Sequence, residues 1–401
     1  MTRYDYLIVG GGMVAAGAVH GIRERDQVGT VGVISADVDP PYTRPALSKK
    51  LWTDDEFGRD QVPLDLDNTA VDLVLETVVT SIDPGAHTVT TAAGDSHEYG
   101  RLLVATGGTP RELDGLPASD RVFYFRSFDD YRHLRTLAAD APHVAVVGGG
   151  YIGSELAAAL VQNGCRVTLV TPDEVLGAST FPAELAARYE RLFTDAGVEL
   201  RRGTRVESGS ESADGVRLDL GNAGSLDVDA VVVGLGIDPV TGILEEAGIE
   251  TDDGVIVDAR LSTSAADVFA AGDIASYPDR ILGRRRVEHV DNANEQGPVV
   301  GRIMAGSNET YDHTPYYYSA VFGERYEAVG TIDGSLTVRE RWSENGTRGV
   351  VYYLDGADLV GVLLWNLSDD DDPSKRDDAR AVLSDPDAGA DPDLESRISL
   401  D

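Results

Sequence analysis

The chain has 401 residues, more than one small domain needs, and 42% of them are hydrophobic, which excludes a disordered chain overall. Its 69 acidic residues against 34 basic ones give a net charge of −35, which argues against nucleic acid or an anionic membrane surface as the main partner. The single cysteine, Cys165, excludes an internal disulfide framework, a CxxC redox pair and a cysteine-rich metal site.

In chain order, Tyr4–Val9 reads as a core strand, which leaves nothing over for a cleavable leader. A glycine turn, a helix from Val14 to Arg25 and a strand Thr30–Ser35 come next. Val71–Val104 alternates apolar and polar residues, with turn signals at Pro84-Gly85 and Gly94-Asp95, and predicts a β-meander. The opening grammar then returns: strand His143–Val147, a glycine turn, a helix Ile152–Asn163 stopped by Gly164, and strand Arg166–Val170. Short strands are expected at Ala230–Val233 and Val255–Val257, and an antiparallel pair at Gly349–Tyr353 and Leu359–Trp365. From Ser368 the chain is acidic and rich in Pro and Ala, which predicts a solvated, partly mobile end with one short helix at best. No apolar run reaches about 18 residues, so no transmembrane helix is expected and the location is read as cytoplasmic.

The first turn, Gly10-Gly11-Gly12-Met13-Val14-Ala15, is a G-x-G-x-x-A pattern between a strand and a helix. Gly10 permits the tight turn, Gly12 lets backbone approach a pyrophosphate, and Ala15 keeps helix and strand close. The second, Gly148-Gly149-Gly150-Tyr151-Ile152-Gly153, is a full G-x-G-x-x-G in the same frame. Two such units imply two dinucleotides, one held tightly and one exchanging. Asp173, just past the second strand of the second unit, is placed for an adenosine ribose. Its neighbour Glu174 is acidic too, so a 2′-phosphate would be repelled and NADH is expected in preference to NADPH. The bland reading of Asp173 is a solvated loop acid.

Two further segments point to the nucleotide held tightly. Ser264–Asp273 predicts a strand ending in an A-x-G-D turn, where Gly272 allows close approach and Asp273 can bond a ribityl hydroxyl. At Ala105-Thr106-Gly107-Gly108-Thr109-Pro110 the chain crosses back under the cofactor. Together the pattern resembles the flavoprotein pyridine-nucleotide oxidoreductases, with FAD in one Rossmann domain and NAD(P)H in an inserted second. Pro41–Trp52 (PYTRPALSKKLW) is similar to a segment of apoptosis-inducing factor, and looser versions occur in ferredoxin reductases. Ala105–Arg111, Leu282–His289, Tyr326–Gly330 and Leu364-Trp365-Asn366 resemble the same branch, so the likeness runs from about Tyr4 to Asn366.

That resemblance implies an α/β fold: a discontinuous FAD domain (1–112 and 237–311), an inserted NADH domain (113–236), a C-terminal α/β domain (312–370) and an acidic tail (371–401). It places Lys49 by the flavin N5, paired with Glu155. It gives Arg44 and Arg126 the FAD phosphates and adenosine, and sets Glu288 and His289 by the flavin and nicotinamide. Lys49, Glu155 and His289 are thus the candidate catalytic residues. Val79, Ala105, Thr106 and Gly107 join the FAD contacts. Gly236 allows close approach of NADH, and Glu327 borders the nicotinamide. Three departures stand out. Ala36 occupies the usual ribose-binding glutamate position, so Asp37 is expected to serve. Tyr318 replaces a stacking tryptophan. Val290 follows His289 where apoptosis-inducing factor has a second histidine.

Only three residues are lysine, Lys49, Lys50 and Lys375, so 31 of the 34 basic residues are arginine. This composition looks like adaptation to molar salt, as in halophilic archaea, where the Debye length falls to about 3 Å; an ordinary acidic bacterial protein is the alternative. Where lysine is avoided, the retention of Lys49 points to a task. Cys165 reads as a small core residue. The expected reaction is hydride transfer from NADH to FAD, then electrons to an acceptor such as an acidic ferredoxin or rubredoxin, without a metal. Arg284-Arg285-Arg286 would suit an acidic partner or would serve internal salt bridges. The competing reading is a redox sensor like apoptosis-inducing factor, whose NADH charge-transfer complex controls oligomerisation or partner binding. An NADH oxidase is a third option, disfavoured because the loop that would carry its cysteine holds Thr43 and Arg44. The acceptor's identity and the oligomeric state, a homodimer included, stay open.

Overall fold

The apolar stretch Tyr6–Val9 is buried because the strand Thr2–Val9 is flanked on both sides by parallel strands, Val31–Ile34 and Ser96–Val104. Val71–Val74 adds to Val31–Ile34, and Val268–Ala270 adds to Ser96–Val104, again in parallel. The computed structural model describes residues 2–367 and 373–401. It divides into two compact units, and this sheet belongs to the first, which spans Met1–Arg44, Gly58–Thr109 and Asp238–Pro315. The expected meander is only partly present. Val79–Asp83, Thr88–Thr91 and Ser96–Val104 do run antiparallel in order, whereas Val71–Val74 leaves them and pairs with the second strand. Val71–Val74 is a half-buried edge strand with Asp72 exposed, so its alternation is compatible with parallel as well as antiparallel pairing.

The helix Met13–Arg23 packs along Val290–Met304 through a seam of small residues. A Cβ at Gly21 would run into the Pro298 carbonyl oxygen, and one at Gly301 into that of Ala18. Backbones meet at this seam, so no larger side chain fits.

The second unit comprises Pro45–Phe57, Pro110–Ile237 and Tyr316–Asp401. Its parallel sheet runs Glu199–Arg201, Arg166–Val170, His143–Val147, Ala230–Val233, Val122–Phe123. The antiparallel strands Ser208–Ser212, Gly215–Asp219 and Ser225–Val228 cover one core, where Leu218 and Leu226 pack with Val147, Val170 and Val231. Its other sheet is antiparallel: Tyr316–Val321, Glu324–Gly330, Asp358–Trp365, Gly349–Asp355, Thr337–Trp342.

The C-terminal stretch departs from expectation. Residues 368–372 lie outside the described residues, but Ser374–Leu383 is a helix against this last sheet, with Arg376, Ala379, Val382 and Leu383 buried. Leu394 and Ile398 are fully buried beyond it. The i, i+3, i+6, i+7 spacing of those four helix residues outweighs the acidic composition. Among the described residues no helix is long and apolar enough to cross a membrane.

Candidate functional site

In the first unit Gly10 holds φ +112°, and a Cβ there would collide with the Ala105 carbonyl oxygen. Only glycine allows the turn to close against the Ala105–Gly107 segment. Ala105 is buried, the Thr106 hydroxyl donates to the Val240 carbonyl at 3.2 Å, and Gly107 sits at φ +65°. Gly12 caps the helix Met13–Arg23, and a Cβ on it would meet no heavy atom of the described residues within 4 Å. That open cradle before a helix N-terminus fits a phosphate-bearing group. Ala15 is fully buried beneath.

The remaining flavin-side candidates in this unit are each anchored by local bonds. The Asp37 carboxylate accepts from the Tyr42 hydroxyl at 2.8 Å and the Asp39 N–H at 3.1 Å. Arg44 lies 5.3 Å from the Tyr42 ring centroid. Val79 is buried opposite Thr91. Gly272 has φ +81° and donates its N–H to Gln296, while the Asp273 carbonyl accepts from Arg286 at 3.1 Å. Glu288 pairs with Arg286. His289 caps the helix Val290–Met304, its Nδ1 accepting from the Asp291 N–H at 3.3 Å, so a neutral ring carries its proton on Nε2.

The second unit repeats the turn. Gly148 holds φ +105° against the Gly234 carbonyl, and Gly150 caps Tyr151–Gln162 with no atom of the described residues within 4 Å of a Cβ. A Cβ at Gly153 would collide with the Gly148 carbonyl, which explains a third glycine here. Asp173 accepts from the Ser179 hydroxyl at 3.0 Å. Gly236, at φ +86°, accepts from the Arg111 N–H at 3.0 Å through its carbonyl. Both glycine cradles thus fit a dinucleotide phosphate.

Lys49 and Glu155, separated by 106 residues in sequence, meet in this unit: Lys49 Nζ is 2.7 Å from Glu155 Oε2. The Ser48 hydroxyl donates to the same oxygen at 2.5 Å, and the Ser319 hydroxyl to Oε1 at 2.7 Å. Glu155 is 2% exposed and Lys49 16%. A carboxylate with three donors is fixed in place, and it fixes the ammonium in turn. Lys49 Nζ also lies 5.1 Å from the Tyr318 ring centroid, and the Arg325 guanidinium lies 5.0 Å from it. Glu327, directly across the strand pair from Tyr318, is enclosed at 1% exposure. Its Oε1 accepts from Arg325 at 2.7 Å and lies 3.7 Å from Arg376. Glu327 is thus paired with Arg325, and Arg376 of the C-terminal helix supplies part of its charge balance.

Sequence reasoning missed Ser48, Ser319 and Arg376. Ser48 and Ser319 stand beside Lys49 and Tyr318, so adjacency was a usable signal; Arg376 had only its helical spacing. Arg126 belongs to the second unit, its N–H donating to Asp130 Oδ2 at 2.9 Å. Arg284 donates to the Val257 and Ser276 carbonyls, and Arg286 pairs with Asp253 and Glu288, so internal bonding engages two of the three arginines. Cys165 is buried, and burial pushes its thiol pKa up, which suits a core residue and not a nucleophile.

Residues 4–297 match the family described as pyridine nucleotide-disulphide oxidoreductase. The chain is 37% identical to the 5,5′-dehydrodivanillate O-demethylase ferredoxin reductase subunit of Sphingobium sp., over 82% of each protein. It is 31% identical to peroxisomal monodehydroascorbate reductase 1 of Arabidopsis thaliana, over 94% of each. Among solved structures, a covalent putidaredoxin reductase–putidaredoxin complex superposes with a TM-score of 0.86 at 26% identity, covering 96% of this chain and 94% of that one. The chain belongs to the pyridine nucleotide-disulphide oxidoreductase family and is an FAD-dependent NAD(P)H oxidoreductase of the ferredoxin-reductase-like kind.

Proposed function

We propose that the protein oxidises NADH and reduces a small iron–sulfur protein of the ferredoxin or rubredoxin type. The observation that carries this is the buried Lys49–Glu155 pair with its two serine donors. FAD, when bound, supplies a hydride acceptor that releases electrons singly or in pairs. Gly10, Gly12 and the helix start at Met13 would hold its pyrophosphate, Asp37 its adenosine ribose and Asp273 its ribityl chain. The second turn, Gly148–Gly153, would hold NADH, with Asp173 on the ribose; two adjacent acids there disfavour a 2′-phosphate. Lys49 would hold a fixed positive charge where negative charge develops, and Glu155 keeps that ammonium from swinging into water. Tyr318, set between two cations, would offer a stacking face.

The chain's one thiol is buried, so electrons leave without a dithiol relay on this chain. That favours outward one-electron transfer over the disulfide chemistry in the family's name. The relatives' names support an iron–sulfur acceptor and also offer a small-molecule one, as in monodehydroascorbate reductase.

The test is an anaerobic NADH titration monitored in the visible spectrum. Bleaching of the flavin bands, reversed quickly by a ferredoxin, supports the proposal. Reversal by an organic radical acceptor but not by a ferredoxin assigns the acceptor to the other class. A long-wavelength band that persists in air favours a redox switch. Absence of flavin absorption overturns the reading.

A further inference from the structure

Gln296 lies within the helix Val290–Met304 and is fully buried. Its Oε1 accepts a hydrogen bond from the Gly272 N–H at 2.7 Å. This bond fixes which end of the amide is which, because a backbone N–H needs an oxygen. The Nε2 group, with two N–H bonds, then has no partner among the described residues. Burying an unsatisfied donor costs stability, and an apolar side chain of the same length would avoid that cost. The orphan therefore calls for an acceptor that the described residues do not supply.

Its surroundings identify the kind of acceptor. Gly272 opens the turn Gly272–Ile274 that carries Asp273, and a Cβ on Gly272 would lie 2.6 Å from Val14 Cγ2. A Cβ on Gly297, the next residue after Gln296, would lie 2.9 Å from the Val14 carbonyl oxygen. Val14 is in the first turn of the helix capped by Gly12. Gln296 thus stands where the glycine turn and the A-x-G-D turn converge. On the flavin reading above, both turns would present backbone to the oxygen-rich middle of the dinucleotide.

We infer that Gln296 Nε2 is an additional FAD-binding donor, directed to an oxygen of the pyrophosphate–ribityl stretch. This rests on the flavin reading above. The same side chain couples the cofactor to Gly272, since one amide serves both.

Gln296→Glu tests it with little change in shape. The variant keeps an acceptor for the Gly272 N–H and replaces the donor with a carboxylate oxygen. FAD is removed from each protein and rebinding is measured by flavin fluorescence, well above the carboxylate pKa range. The expected result is a Kd for FAD raised about 10- to 100-fold, the usual worth of one bond from a neutral donor to a charged acceptor. The apoprotein melts lower than wild type, because the carboxylate is buried with a single N–H partner, and the stabilisation that added FAD gives the variant is smaller than in wild type. An unchanged Kd overturns the inference and leaves the flavin reading intact, whereas wild-type protein that binds no FAD overturns both. A crystal structure of the FAD-loaded wild type gives a second measurement independent of any variant. Nε2 within hydrogen-bond distance of a cofactor oxygen supports the assignment; a water as its sole partner overturns it.

Discussion

The two glycine turns share a backbone and differ in the helices they open. Gly10 and Gly148 take nearly the same left-handed φ, and Gly12 and Gly150 both leave open space in front of a helix start. Two residues past each motif the helices part. The first has Gly17, where a Cβ would lie 2.8 Å from Pro298 Cδ, so that face is given to helix packing. The second has Glu155, whose carboxylate gathers Ser48, Lys49 and Ser319. One turn is thus built into a tight helix seam, which suits the permanently held cofactor proposed for it. The other carries a buried, charge-paired carboxylate, which suits the exchanging ligand proposed for that turn.

The sharpest way to break this comparison is to make the same lesion in both turns. Gly12 and Gly150 have negative φ, so alanine strains neither backbone, and the added methyl intrudes only on the ligand's space. Gly12→Ala is expected to weaken FAD by about 100-fold and abolish activity, while the apoprotein melts within about 1 kcal/mol of wild type. Gly150→Ala should keep its flavin and raise the KM for NADH by a similar factor. Flavin content and steady-state kinetics read both. Flavin loss from Gly150→Ala would reverse the assignment of the two turns.

Next in size is Glu155. Glu155→Gln removes the counter-charge but keeps a side chain able to bond the serines. The rate of anaerobic flavin bleaching by NADH should fall about 10- to 100-fold, with unfolding free energy lower by about 2 kcal/mol. A stability loss without a rate loss would make the network structural and erase the contrast with Gly17. Asp173→Ser is a smaller change. It should lower the preference for NADH over NADPH by about 10-fold, near 1.4 kcal/mol, in the ratio of kcat/KM values.

Much of this is legible in the chain itself, because glycine turns bracketed by strand and helix are local, and local spacing is what a sequence displays. Only family likeness pairs Lys49 with Glu155; no spacing argument joins residues so far apart. The orphan amide of Gln296 has no signal at all, since an unsatisfied donor exists only after the fold has buried it. The C-terminal end misleads for a different reason. Its acidic residues dominate the composition, whereas four buried positions on one face of Ser374–Leu383 decide its fate.

A pH measurement carries the comparison from the turns to the units that bear them. In the second unit Glu324 loses solvation on burial, which would raise its pKa, yet bonds from Asn366 at 2.6 Å, Trp365 at 2.7 Å and Arg188 at 3.0 Å hold it below its ordinary value of 4.5. In the first unit Glu309 is also lowered, chiefly by Arg302 at 3.0 Å, but it is the more exposed of the two. A carboxyl depressed in the folded state contributes stability above its unfolded pKa and loses it as pH falls through the folded one. Both units should therefore weaken below about pH 4.5, the second more steeply, by about 1 kcal/mol for Glu324 after allowance for solvent screening. Glu324→Gln should flatten that part of the acid limb of the melting curve, and Glu309→Gln should flatten it less. Equal flattening by the two would show that exposure does not discriminate between these pairs, because the carboxylates would then contribute alike at 23% and 31% side-chain accessibility.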